Sequence, residues 1–233
     1  MITWMLLACT DPVDVELKVV DAVQGVARGD VPLVWSADDS RCTREGPTDG
    51  AGRARVELCP DTHYEVRSAD AAVVVWPAVE GPAETLPDTV QVLDRTDGLA
   101  LVGGGVVPLP PTVDVRRVQP RGHDRPMAMP AVLPVVLPTW GAGQGLFVPE
   151  GGAKVEAVPL VRTETLELTD GGPLQPWWAP GAKVDQDGAE PVAPPAPEDV
   201  LEVPGGVVWR GLAPGTYALW DGQAERVPLL KVE

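Results

Sequence analysis

Val13-Asp14-Val15-Glu16-Leu17-Lys18-Val19 alternates apolar and charged side chains without a break. Successive side chains on a strand point to opposite faces, so this stretch predicts a β-strand with one buried and one solvated face. Outward from it the pattern continues. A turn containing Gly25 and Gly29-Asp30 leads to a second strand from Val31 to Trp35. Thr48-Asp49-Gly50-Ala51-Gly52 is a turn before Arg53-Ala54-Arg55-Val56-Glu57-Leu58, and Pro60 to Val66 leads into the apolar run Ala71 to Trp76. The chain holds 25 glycines and 27 prolines and is rich in valine, a composition of strands punctuated by turns. Long apolar patterns of helical period are absent, as is any stretch of 18 apolar residues. The expected fold is all-β, with two sandwich-like domains and little or no helix: residues 12–94, then 95–233, after a short signal and tether over residues 1–11.

Four segments of the second domain share one pattern: a short strand, a Gly-containing turn and a second strand ending near proline. They are Leu99 to Leu109, Leu146 running on to Leu160, Leu166 to Leu174, and Tyr217 running on to Leu229. Asp-Gly and Gly-Gly pairs suit hairpin turns with positive φ. Residues 116–130 and the Pro-rich 179–204 read as irregular segments. Pro214-Gly215-Thr216-Tyr217 echoes Pro60 to Tyr64 and predicts a similar sandwich edge.

The order of strand, insertion, Thr48-Asp49-Gly50-Ala51-Gly52-Arg53-Ala54 turn, strand and Pro60-to-Tyr64 corner resembles the transthyretin-like, carboxypeptidase-regulatory-like β-sandwich over about residues 12–80. Asp61 stands where that family usually has glycine, and His63 is an extra residue before Tyr64. The resemblance implies a module that braces or attaches something else and carries no catalytic residues of its own.

Leu6-Leu7-Ala8-Cys9 resembles the lipobox of a bacterial lipoprotein. The resemblance implies cleavage before Cys9, acylation of Cys9 and attachment to a membrane through lipid. Thr10 after the cysteine leans toward the outer membrane. Only Met1 to Ala8 precede the cysteine, with no Lys or Arg, which is short for a secretory signal. With Cys9 acylated, Cys42 and Cys59 remain of the three cysteines, and an exported protein would pair them. Closing that loop stabilises by roughly 3 kcal/mol in the chain-entropy model. The alternative is two free buried thiols.

The formal net charge of −16 argues against nucleic acid as a partner. Metal ligation lacks a CxxC pair, and the two histidines, His63 and His123, lie sixty residues apart. Asp185-Gln186-Asp187-Gly188 shares only the opening of a calcium loop. No GxSxG, HExxH, P-loop or dinucleotide fingerprint occurs, and no catalytic residue, metal or cofactor is expected. Asp61 with His63, and His123 with Asp124, read as surface pairs. Arg116, Arg117, Arg121 and Arg125 form a basic island in an acidic chain. It is suited to lipid phosphates or an acidic partner, or is a solvated loop balanced by nearby acids. Eight tryptophans stand beside one phenylalanine. Trp35 and Trp76 are expected in the core. Trp140, Trp177 and Trp178 are candidates for stacking on a sugar or a partner side chain, with packing as the plainer reading. The expected role is structural or partner-binding: a lipid-anchored scaffold or adhesin contacting an envelope protein or glycan. A carbohydrate-binding module is the second reading and a hydrolase of unknown type the third.

Overall fold

A computed structural model describes residues 11–119, 121, 127–130, 136–150, 155–163, 166–168, 172–174, 177–180, 197, 199–220 and 224–233. The fold is all-β, and the described residues hold a single 3-10 turn at Ala83–Thr85 and no α-helix. Two compact units form: Met1–Arg95 with Gly103–Gly105, and Thr96–Val102 with Val106–Glu233.

The first unit is a two-sheet sandwich. Its strands are β1 (Val13–Asp21), β2 (Pro32–Ser36), β3 (Arg44–Pro47), β4 (Arg53–Leu58), β5 (His63–Ser68), β6 (Val73–Val75), β7 (Val79–Pro82) and β8 (Thr89–Asp94). One sheet has the order β4-β1-β8-β6 and the other β3-β2-β5-β7. The alternation of the opening stretch sets the packing. Val15, Leu17 and Val19 are buried while Asp14, Glu16 and Lys18 face solvent. They meet Leu33 and Trp35 of β2, Tyr64 and Val66 of β5, and Val90 and Val92 of β8 in one core. β1 is antiparallel to β4 and parallel to β8. Trp76, expected in the core, is only half-buried.

The Thr48–Ala54 turn explains its own residues. The Thr48 hydroxyl, buried, accepts from the Val31 N–H and donates to the Arg28 carbonyl, each at 3.0 Å. The Asp49 carboxylate accepts from the Ala51 and Arg53 N–H groups at 2.9 and 2.8 Å, an Asx turn. Gly52 lies at φ +75°, and a Cβ there would come within 2.6 Å of the Val19 carbonyl oxygen. Only glycine satisfies both the conformation and the approach. Ala54 then enters the core.

The second unit continues with β9 (Ala100–Val102), β10 (Val106–Pro108), β11 (Val113–Val118), β12 (Met127–Pro130), β13 (Thr139–Trp140), β14 (Gly145–Pro149), β15 (Glu156–Thr163), β16 (Leu166–Leu168), β17 (Gly172–Leu174) and β18 (Trp177–Pro180). It ends with β19 (Asp199–Val203), β20 (Gly206–Arg210), β21 (Gly215–Trp220), β22 (Arg226–Val227) and β23 (Leu229–Val232). Two five-stranded sheets, β10-β9-β14-β20-β19 and β13-β23-β21-β15-β18, accompany a three-stranded sheet β12-β11-β22 and the β16–β17 pair. β21 and β23 supply cores on both faces of their sheet. Tyr217, Leu219 and Leu230 pack with Leu101 and Leu146, whereas Ala218 and Leu229 pack with Val113 and Val227. Strands buried on both sides read as continuous apolar runs, as Tyr217-Ala218-Leu219 does.

Three of the four expected hairpins form antiparallel pairs: β9–β10, β16–β17 and β21–β23. The fourth does not. β14 pairs with β9 and β20, and β15 with β18 and β21. Two segments read as irregular also carry strands. Residues 116–130 contain most of the β11–β12 pair, and residues 179–204 contain the end of β18 and all of β19. Proline at Pro130 and Pro180 ends these strands, which hides them in a composition-based reading.

Candidate functional sites

Cys42 and Cys59 form a disulfide, with Cα atoms 5.7 Å apart. Cys42 precedes β3 and Cys59 follows β4, and each of those strands is an edge of its sheet. The bond therefore clips the two sheets together along one open side. Arg44 on β3 adds a second tie across the same side, donating from Nε to the Glu57 carbonyl at 3.2 Å. Tyr64, fully buried, completes the knot. Its hydroxyl accepts from the Cys59 N–H at 2.9 Å and donates to the Cys42 carbonyl at 3.3 Å. Asp61 reaches this corner at φ +52°, the left-handed conformation that a glycine adopts with ease. The corner at Pro214 to Tyr217 is built alike. Tyr217 is buried, and its hydroxyl donates to the Ala213 carbonyl four residues back at 2.7 Å. A tyrosine bonding to backbone a few residues upstream is a known corner device of sandwiches.

A buried ionic cluster lies at the other end of the first unit. Arg28 bridges Asp21 and Asp94, at 3.3 Å to Asp21. Asp21 also accepts from the N–H groups of Val23 and Gln24 at 2.8 and 2.9 Å. Gly104 and Gly105, which belong to this unit, donate to Asp21 and Asp94 at 3.4 and 3.1 Å. Burial disfavours the Arg28 charge, but the bonds and charges of Asp94 and Asp21 outweigh it and hold the guanidinium above its ordinary pKa. Every carboxylate here has partners, so the cluster joins elements and offers no free base. Sequence reading missed it, although the signal was present. The period that buries Val15, Leu17 and Val19 puts Asp21 on the same inward face, and Val90 and Val92 lead likewise to Asp94. An acid in an inward position implies a partner.

The remaining sequence candidates do not converge. Trp140 is 3% exposed, and its indole N–H donates to the Gln144 carbonyl at 2.9 Å. It packs in the core, the plainer of the two readings, and leaves no face for a ligand to stack on. The turn after it is closed by the Gln144 N–H on the Gly141 carbonyl at 3.3 Å and by the Gly141 N–H on the Gln144 side-chain oxygen at 3.0 Å. Trp177 and Trp178 lie on β18 opposite Thr163 and Arg162, with side chains outside the described residues. Arg116 is exposed on β11, Arg117 sits opposite Ala128, and Arg121 is exposed. Arg125, His123, Asp124, Asp185 to Gly188 and Cys9 lie outside the described residues. His63 is exposed at the start of β5. Among the described residues no group of three His, Cys, Asp or Glu side chains is placed to hold a metal ion. A cleft where β14 meets β19 and β20 is lined by Val148, Pro149, Glu150, Glu202, Val203 and Val207. No protein-family model matches the chain, no curated protein matches its sequence, and no solved structure matches its fold.

Proposed function

We propose that the chain is an exported bacterial lipoprotein, held at the outer membrane through lipid on Cys9. Its two β units act as a structural or partner-binding body and not as a catalyst. The observation that carries this reading is the pairing of Cys42 with Cys59, which leaves Cys9 as the odd cysteine directly after Leu6-Leu7-Ala8. Disulfides persist in oxidising compartments, so the bond supports export. The ties that surround it are structural: Tyr64 spends its hydroxyl on the backbone of both half-cystines. The transthyretin-like resemblance of the first unit belongs to the same proposal, and a bracing module of that kind fits a scaffold.

The test is fractionation of cells expressing the full chain. Wild type is expected in the membrane fraction with a lipid-modified Cys9 peptide by mass spectrometry, and Cys9→Ala in the soluble fraction. A soluble wild type with unmodified Cys9 overturns the anchor.

A further inference from the structure

We infer that the disulfide end of the first unit is the end that faces the bilayer. The inference rests on the anchor reading above and adds an orientation to it. Only Thr10, Asp11 and Pro12 separate Cys9 from β1. Even fully extended, the path from Cys9 to Val13 spans no more than about 14 Å. The start of β1 is thereby pinned close to the headgroups. β1 itself, nine residues long, carries the chain roughly 26 Å farther along the unit.

The pairing registers show what shares that pinned end. Val13 lies opposite Leu58, the last residue of β4, which Cys59 follows. Ser36 pairs with Glu65 near the start of β5, and Trp35 pairs with Arg44 at the start of β3. The loop from Ala37 to Thr43, with Cys42, therefore lies at the same end, as does Asp61, whose N–H donates to Glu84 at 3.2 Å. At the far end are the turn after Asp21, the Asp49–Gly52 turn and the close of β8, where Asp21 pairs with Val92. The chain leaves the strands of this unit at Asp94, on the end away from the anchor.

Two further observations favour an upright unit over one lying on its side. The outer face of β1 and β4 is a charged lattice: Glu16 bonds Arg53 and Arg55 at 2.7 and 2.8 Å, with Asp14, Lys18 and Glu57 beside them. Among the described residues this face exposes no large apolar side chain that could insert into a bilayer. Among the described residues, the large apolar side chain exposed in this unit is Val26, and it belongs to the far end. The near end carries Asp38, Asp39, Asp61 and Glu84, with Arg41 and Arg44, so it is not drawn to anionic lipid. Tether length, and not charge, sets the orientation.

The full chain, purified from membranes with its lipid, is reconstituted into phosphatidylcholine vesicles containing a headgroup nitroxide quencher. A bimane is placed on Asp38→Cys or on Ala51→Cys, both exposed, with the native disulfide verified by mass and the fold by near-ultraviolet circular dichroism. Loss of the signal at position 38 and its retention at position 51 is the expected result. A long Gly-Ser insertion after Pro12 should abolish the difference. Equal or reversed quenching on a chain whose Cys9 is shown to be acylated overturns the orientation alone. An unmodified Cys9 overturns the anchor and the orientation with it.

Discussion

Arg28 illustrates how one residue commits a fold. It holds two inward carboxylates that the strand period would otherwise bury without compensation. Replacing a buried pair with apolar groups is often neutral, but removing one partner is not. Arg28→Met should therefore destabilise the first unit by roughly 3–5 kcal/mol, read by urea denaturation. A change near zero would mean that Asp21 and Asp94 are held well enough by backbone N–H groups alone. Asp39 presents the opposite case, an exposed carboxylate. The Arg41 side chain, and then its backbone N–H, bonds the carboxylate and lowers its pKa from 3.8 to about 2. A depressed carboxylate adds stability that is present above the unfolded value and lost as pH falls through the folded one. Carbon NMR of the Asp39 carboxyl should give a midpoint near 2, and Arg41→Ala should return it toward 3.8. An unshifted wild-type midpoint would show that the pair does not persist in solution.

Among the elements, the sandwich side closed by β3 and β4 depends on a crosslink, because each is an edge strand with an open row of backbone groups. Cys42→Ser with Cys59→Ser should cost about 2–4 kcal/mol. Tyr64→Phe should cost about 1–3 kcal/mol by leaving the Cys59 N–H and Cys42 carbonyl without their partner. Because the two devices hold the same two residues, Cys42 and Cys59, their combined cost should depart from the sum. Strict additivity in a double-mutant cycle would show that they act separately. In the second unit β20 presses on β14. A Cβ at Gly206 would come within 2.2 Å of the Val148 carbonyl oxygen and 3.0 Å of the Phe147 ring. That obstacle is backbone and cannot swing aside, so Gly206→Ala should destabilise by about 1–3 kcal/mol. An unchanged denaturation midpoint would mean that β20 can draw back from β14.

On the scale of the whole molecule, a net charge of −16 sets the long-range energetics. Self-repulsion of this size keeps a chain dispersed and loosens its compact state. Raising salt shortens the Debye length from about 30 Å at 0.01 M to about 8 Å at 0.15 M. The melting midpoint should rise over that range. A midpoint that stays level or falls would mean that local pairs such as Glu16 with Arg53 and Arg55 outweigh the repulsion, since salt weakens those as well.

Sequence alone determined the strand at Val13 to Val19 and its buried face, because side-chain alternation has a period that neighbours cannot change. It determined the turn at Thr48 to Ala54, where local hydrogen bonds and a positive φ demand particular residues. The two tyrosine corners were legible through their short-range bonds, Tyr64 with Cys59 and Tyr217 with Ala213, whereas the bond from Tyr64 to Cys42 needed the fold. Tertiary structure decided the rest. Which strand β14 joins depends on β9 and β20, far away in sequence, so a local hairpin reading failed there. The Gly-rich segment left the exposure of Trp140 open, and the fold buries it in one cluster with Leu101, Tyr217 and Leu230 from distant parts of the chain. The clustering of Asp21, Arg28 and Asp94 likewise needed the fold: the period marks two acids as inward, but only the parallel pairing of β1 with β8 brings them to one arginine.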